Sequence, residues 1–418
     1  MVKKFLQNAS LMVAANLLIK SIWILGVDRG VQNLLGPEEY GMYAVLFNAG
    51  ILLIFIADLG VNNYHNRFVA QNPQLAGKSA SAILTSKLIL AVVYLAICLC
   101  YGIYSGYSNR ILQLFVIIGC NWFLTTLIIF FRGVVGGLQQ FKTDTLFSIS
   151  DRFILIFLVG YALWFSPTLL TLEYFVYSQT IALSLVVFSL IIYVSRQTKN
   201  FHFHFDYAYI IKTLKNSMPF AILFLFQAVM IRADTIMLER LLVNGHEQAG
   251  IYMASQRLLE TLTILAYLVS VILFPMFSKM IAQKENVKPL VKTSALLMFI
   301  PSVLVFILFI FFHKEIMNSL YTHPEIISSS KIAMVVMLSF VWLAQGYVWG
   351  TLLTANGNLK ILNILSLLFM LLNLSMNFYF IPRYHAMGAA ISFCITQGLF
   401  VLSEAIVCVR IFWIANQK

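Results

Sequence analysis

The sequence predicts an all-α integral membrane protein with twelve transmembrane helices, and three observations carry that reading. Hydrophobic residues make up 61% of the 418-residue chain and charged residues only 11%, whereas a soluble domain carries roughly 25% charged residues. The apolar runs are continuous, as from Ala91 to Tyr101 and from Val303 to Phe312; the ~10-residue strands of a membrane barrel would alternate instead. Lys and Arg gather in connections on one side of these runs, the asymmetry that orients a polytopic protein. A soluble cytosolic enzyme is excluded.

Apolar windows bounded by charged residues or by Gly, Pro and Asn clusters place the spans. Span 1, about 8–27, follows Lys3 and Lys4; it is long, contains Lys20 and lacks a small-residue cleavage site, so it reads as retained and not as a signal peptide. Span 2, about 41–60, begins after Gly36-Pro37 and ends at Asp58-Leu59-Gly60. Spans 3 to 6 lie at about 81–104, 111–131, 146–165 and 173–194, separated by Ser105-Gly106, Arg132-Gly133 and Ser166-Pro167. Spans 7 to 9, at about 219–241, 249–276 and 292–312, are divided by Asn244-Gly245 and by the lysines from Lys279 to Lys292. Spans 10 to 12, at about 330–354, 359–380 and 387–414, are divided by Asn356-Gly357-Asn358 and Pro382-Arg383.

Sixteen Lys and Arg residues, including Lys3, Lys4, Lys142, Lys288, Lys292 and Lys418, fall on the side of the N-terminus, against Arg29, Arg110, Arg240, Lys314 and Arg383 opposite. The positive-inside bias then puts both termini in the cytoplasm. The net charge of +12 is mostly topology, with no soluble face on which it could serve nucleic acid. The one long polar connection, Ser195 to Ser217, marks a boundary between an N-lobe at 1–200 and a C-lobe at 201–418. His202 and His204 within it read as solvated linker residues, and the five cysteines sit inside apolar runs as small hydrophobes, so no metal, cofactor or disulfide is expected.

An internal repeat supports the division. Gly36-Pro37-Glu38-Glu39-Tyr40-Gly41-Met42-Tyr43 matches Gly245-His246-Glu247-Gln248-Ala249-Gly250-Ile251-Tyr252 at an offset of 209 residues, half the chain. Six spans per repeat is an even number, which gives two parallel six-helix bundles related by a pseudo-two-fold axis along the membrane normal, with a substrate expected at their interface. The glycines of the motif read as tight backbone turns and not as substrate contacts.

Ionisable groups deep in a span face the bundle interior or water, and they are functional candidates by default. Lys20 lies in the middle of span 1, Arg232 in span 7 and Arg257 in span 8, all too deep to reach the headgroups easily. Lys87, Arg152 and Lys331 lie nearer span ends, where a long side chain snorkels, while Asp58 caps or pairs at the interface. Glu260, three residues after Arg257, shares its helix face, whereas Asp234 stands ~200° around the helix from Arg232 and does not pair with it directly. Two readings stand: Arg257 and Glu260 neutralise each other, or a water-filled cavity holds surplus positive charge with one or two carboxylates able to exchange protons. Glu404 is an isolated intramembrane acid. A cationic cavity favours an anionic ligand, since Arg forks match phosphate oxygens. Aromatic residues such as Trp23, Tyr43, Phe226 and Tyr252 are of a type that stacks on sugar rings, but aromatics form 14% of the chain and most serve packing. No Walker-type loop, H-E-x-x-H or G-x-S-x-G occurs, so an enzyme is not expected.

The segment from Leu34 through Gly36-Pro37-Glu38-Glu39-Tyr40-Gly41 to Ala44, followed by Ala57-Asp58-Leu59-Gly60, resembles polysaccharide exporters of the multidrug/oligosaccharidyl-lipid/polysaccharide (MOP) superfamily. Phe131-Arg132-Gly133, Gly137-Leu138-Gln139-Gln140-Phe141, Ser217-Met218-Pro219, Phe274-Pro275, Asn373 with Asn377, and Ile381-Pro382-Arg383-Tyr384 are similar to the same pattern. Length and span number look like the O-antigen flippases (Wzx type) more than the longer lipid II flippases. His385 departs from that pattern, where Gly often follows the tyrosine, and affects only an outer turn.

The resemblance implies a MATE-like fold and export of an undecaprenyl-pyrophosphate-linked oligosaccharide from the cytoplasmic to the periplasmic leaflet of a bacterial inner membrane. It further implies that spans 1, 2, 7 and 8 line the cavity, with Lys20, Arg232 and Arg257 as headgroup contacts and Asp234 and Glu260 as candidates for ion coupling. A polysaccharide polymerase and chain-length machinery are the implied partners. A drug antiporter on the same scaffold, or a non-transporting membrane scaffold, are the alternatives.

Overall fold

The computed structural model describes residues 14–62, 65, 69, 76–138, 140–198 and 207–414, and every regular element among them is helical. His202 and His204 lie outside the described residues. Ten helices among those described have the length and hydropathy to cross a membrane. We number them α1 (Ala14–Asp58), α2 (Ser79–Tyr104), α3 (Asn109–Gly137), α4 (Lys142–Phe165), α5 (Leu172–Gln197), α6 (Ala221–Leu241), α7 (Gly245–Ala282), α8 (Lys288–Leu320), α9 (Lys331–Ala355) and α10 (Leu359–Trp413).

Two of these are far longer than one crossing requires, and each carries a break. In α1 the break is Gly36, at φ +78°, followed by Pro37, which has no N–H for a continuing helical bond and suits the first turn of a new segment. In α10 it is His385, at φ +53°, three residues after Pro382. These are the places where the sequence puts loops between spans 1 and 2 and between spans 11 and 12. Leu59, at φ +44°, and Gly60, at φ +72°, then end α1 in a left-handed cap.

Elsewhere local chemistry sets the boundaries. The Ser108 hydroxyl accepts from Ile111 N at the start of α3, and Thr171 does the same from Tyr174 N at the start of α5. Within the spans, hydroxyls turn back on their own helix, as Ser81 to Gly77 O, Ser86 to Ala82 O and Thr125 to Asn121 O, because lipid offers no partner.

The chain divides into two compact units: Met1–Leu34 with Leu46–Leu225, and Leu35–Val45 with Phe226–Lys418. In the first, α3 packs against α2 and α5, and α4 against α5, over a core that includes Phe130, Phe131, Val134, Val186 and Leu190. In the second, α9 is central and packs against α7, α8 and α10, with Tyr252, Tyr321, Val336, Met337 and Phe393 in its core. Exposed Leu297, Ile300, Leu304, Leu308 and Phe311 give α8 an apolar outer surface suited to lipid.

The two copies of the repeat motif meet inside the second unit. A Cβ on Gly41 would collide with the His246 carbonyl and the Gly250 amide, and one on Gly250 with the Pro37 carbonyl. The sequence reading of these glycines as turns therefore holds only for Gly36. Gly41 and Gly250 are helical, and their missing side chains let two backbones touch.

Candidate functional site

The second unit brings Arg232, Arg257 and Glu260 together on α6 and α7. Arg257 and Glu260, at i and i+3 on α7, pair through Nη1 and Oε2 at 2.7 Å. Arg232 on α6 reaches the other oxygen of the same carboxylate, Nη1 to Oε1 at 2.6 Å. Arg257 also donates from Nε to the Tyr40 hydroxyl at 3.0 Å, from the short segment after the Gly36 break. One carboxylate thus serves two guanidinium groups. It is not sealed: the side chains of Arg232, Arg257 and Glu260 are 23%, 13% and 24% exposed.

Asp234, two residues from Arg232, points elsewhere, as the helical angle requires. It is fully buried and held by neutral donors: the Tyr252 hydroxyl to Oδ2 at 2.9 Å and Asn377 Nδ2 to Oδ1 at 2.6 Å. The network extends on both sides. Gln256 donates to the Tyr252 oxygen at 2.5 Å, Asn377 to Asn373 Oδ1 at 3.2 Å, and Asn373 to Thr396 Oγ1 at 3.4 Å. The Oδ1 of Asn377 is buried without a hydrogen-bond partner. Both asparagines come from the first segment of α10, so this acid ties α6, α7 and α10 together.

In the first unit Lys20 is half-buried, one turn after Asn16, whose amide donates to Ser148 Oγ at 2.7 Å and joins α1 to α4. Arg132, Asp151 and Arg152 are its electrostatic neighbours. Arg132 itself is clamped by Asp144, Nε to Oδ1 at 2.7 Å and Nη2 to Oδ2 at 3.3 Å.

Two cations differ from their sequence reading as snorkelling residues. The Lys87 side chain is wholly buried and pairs with Asp58 Oδ1 at 2.6 Å, with the Phe130 ring 5.9 Å away. Arg152 lies over the Trp23 ring at 5.3 Å and lines a small cavity of 50 Å³ with Asn121, Trp122, Thr125 and Gln179. The Asn121 Oδ1 there is buried and unbonded. In both cases a partner within the protein is present that hydropathy does not report. Lys331 is exposed, as expected.

Beside the first pair, His65 Nε2 lies 3.3 Å from Ser79 Oγ and its ring stacks on Phe130 at 4.8 Å. Burial, assisted by the nearby Lys87 charge, pushes His65 down to about 3. Glu404 is buried beside Gly346 and Gly350, with Oε2 unbonded. Trp23, Tyr43 and Tyr252 are buried in packing positions, and Phe226 is half-buried.

Residues 5–281 match a family profile described as polysaccharide biosynthesis protein. The chain belongs to that family. Solved structures agree on the fold. An inward-facing multidrug resistance MATE transporter of the MOP superfamily is similar at TM-score 0.73 and 13% identity, over 98% of this chain and 99% of that one. Its outward-facing counterpart gives TM-score 0.69 and 14% identity, over 99% and 96%. The lipid II flippase MurJ, in an inward closed conformation, gives TM-score 0.75 and 14% identity, over 95% and 87%. No curated protein sequence matches the chain. The protein is a multi-pass membrane protein of the polysaccharide biosynthesis family with the fold of MOP transporters.

Proposed function

We propose that the protein is a flippase that moves an undecaprenyl-pyrophosphate-linked oligosaccharide, an O-antigen repeat unit or a similar glycan, from the cytoplasmic to the periplasmic leaflet by alternating access. The observation that carries this is the Arg232–Glu260–Arg257 cluster, two guanidinium groups around one carboxylate, partly exposed within an apolar bundle. A diphosphate is the anion that such a pair of forks matches, and its charge is otherwise the hardest part of the substrate to move through hydrocarbon. Lys20 is a further headgroup contact in this reading. Membership of a polysaccharide family and likeness in fold to a lipid II flippase support the substrate class.

In this reading the breaks at Gly36 and His385 divide α1 and α10 into segments of crossing length, and the ten helices make twelve crossings. An even number puts both termini on one side, which the Lys and Arg distribution makes cytoplasmic, in a bacterial inner membrane. The two lobes form six-helix bundles related along the membrane normal, and polymerising enzymes take up the exported unit on the far side.

Asp234 is the ion-coupling residue in this scheme, because its partners are neutral, while Glu260 is the counter-ion of two arginines. The likeness to MATE transporters favours a second reading, exchange of a small organic cation for an ion. The test is translocation of a pyrophosphate-linked oligosaccharide lipid in proteoliposomes by the unaltered chain and by Lys20→Ala, Arg232→Ala and Arg257→Ala. The flippase reading expects movement by the first and little by folded variants. Exchange of an organic cation without lipid movement establishes the second reading.

A further inference from the structure

A groove in the second unit, away from the arginine cluster, has the chemistry of a lipid site. Its 760 Å³ lie among the start of α8, the middle of α9 and the last turns of α10. The body is apolar, formed by Phe299, Val409 and the rings of Trp349 and Trp413, whose centroids are 6.4 Å apart. Its polar end is Lys288 and Lys292, one turn apart, with the Lys288 ammonium 5.8 Å from the Trp413 ring centroid. Gln345, the other polar group in the lining, donates to Ala295 O at 3.0 Å. Among the described residues neither lysine forms an ion pair.

Phe299 and Leu296 are exposed, so the groove opens on the lipid-facing side of α8 and a lipid chain must fill it. At ~30 Å³ for a group the size of a water or methylene, the volume holds roughly 25 such groups, one acyl chain and part of a second. Tryptophans and lysines commonly mark a membrane interface, but there they anchor a helix without enclosing a cavity. Here the same residues form a cavity with two positive charges at its mouth, and a basic pocket between helices is the arrangement that holds an anionic headgroup.

We propose that this groove binds an anionic phospholipid, with its phosphate between Lys288 and Lys292 and its acyl chain against Trp349, Trp413 and Phe299. The site does not depend on the transported substrate, and it stands if the flippase reading fails.

The test uses the tryptophans as reporters. The full chain in phosphatidylcholine nanodiscs receives increasing fractions of brominated phosphatidylglycerol or brominated phosphatidylcholine, and fluorescence quenching is compared with that of the Trp349→Phe/Trp413→Phe variant. A lysine at the surface contributes about five-fold in preference for anionic lipid at low salt. The groove component is therefore expected to be half-quenched at a several-fold lower fraction of the glycerol lipid, and Lys288→Gln/Lys292→Gln to abolish the difference. That lysine variant keeps every tryptophan, so total quenching by it remains informative if the double tryptophan variant does not fold. Equal quenching by the two lipids, or a preference that survives in the lysine variant, overturns the proposal. So does displacement by undecaprenyl phosphate at fractions where unbrominated phosphatidylglycerol has no effect, which would assign the groove to a prenyl chain.

Discussion

Glu260→Gln should be more destabilising to the arginine cluster than loss of Arg232. Glu260 accepts from Arg232 at 2.6 Å and from Arg257 at 2.7 Å, so removing its charge takes from both guanidinium groups the carboxylate they share. Stripping one partner from a fully buried pair costs about 3–5 kcal/mol. With side chains up to a quarter exposed, water screens part of that, and about 2–3 kcal/mol is the expected loss. Arg232→Gln leaves the Arg257–Glu260 pair intact and forfeits the charged hydrogen bond to Glu260, about 1–2 kcal/mol. The double variant removes both the carboxylate and one of the two cations paired with it, so it should be more stable than the sum of the single losses by about 1 kcal/mol. Thermal unfolding in one detergent at fixed pH reads all four proteins. Equal melting temperatures for Glu260→Gln and Arg232→Gln, or strictly additive losses, would refute the shared-carboxylate arrangement.

Three further outcomes follow from particular residues. His385 holds φ at +53°, where a Cβ is strained, so His385→Gly should raise thermal stability by about 1 kcal/mol; a lower melting temperature would contradict the strain. Gly250→Ala drives a Cβ into the Pro37 carbonyl, and the folded yield on size exclusion should collapse, whereas the same change at Gly136, where a Cβ meets nothing, should be silent. His65 titrates near 6.5 when unfolded and about 3 when folded, so the unfolded chain binds the extra proton between those values. Its contribution is whole above about pH 6.5 and falls with acidification, by about 2 kcal/mol at pH 5. A His65→Phe variant, which keeps a ring against Phe130, should lose that acid sensitivity between pH 6.5 and 5, and an unchanged pH profile of melting would count against it.

Local signals in the sequence were informative and pairings between helices were not. Gly36-Pro37 marks a backbone break from residue chemistry alone, and the Arg257–Glu260 pair follows from helical spacing. The angle between Arg232 and Asp234 correctly separates them, but it does not say where either goes. Arg232 finds Glu260 28 positions away, and Asp234 finds Asn377 143 positions away. Such pairs depend on how each helix is rotated about its axis, and spans that are apolar on every face carry no stripe to fix that rotation. The same gap explains Lys87 and Arg152: depth along a span is legible, whereas the presence of Asp58 or of the Trp23 ring beside it is not. Gly41 and Gly250 differ from the turn reading for a related reason, since close approach of two backbones leaves only the missing side chain as its trace.

The most direct test of the central claim, that the arginine cluster in the bundle serves a diphosphate, is to compare two lipids in the same proteoliposomes. Both carry the same oligosaccharide on the same prenyl chain, one through pyrophosphate and the other through a neutral ether. The claim predicts rapid protein-dependent movement of the first and none above the empty-vesicle rate for the second. Equal rates would show that the glycan or the prenyl chain is what the protein recognises and that the arginines serve structure alone.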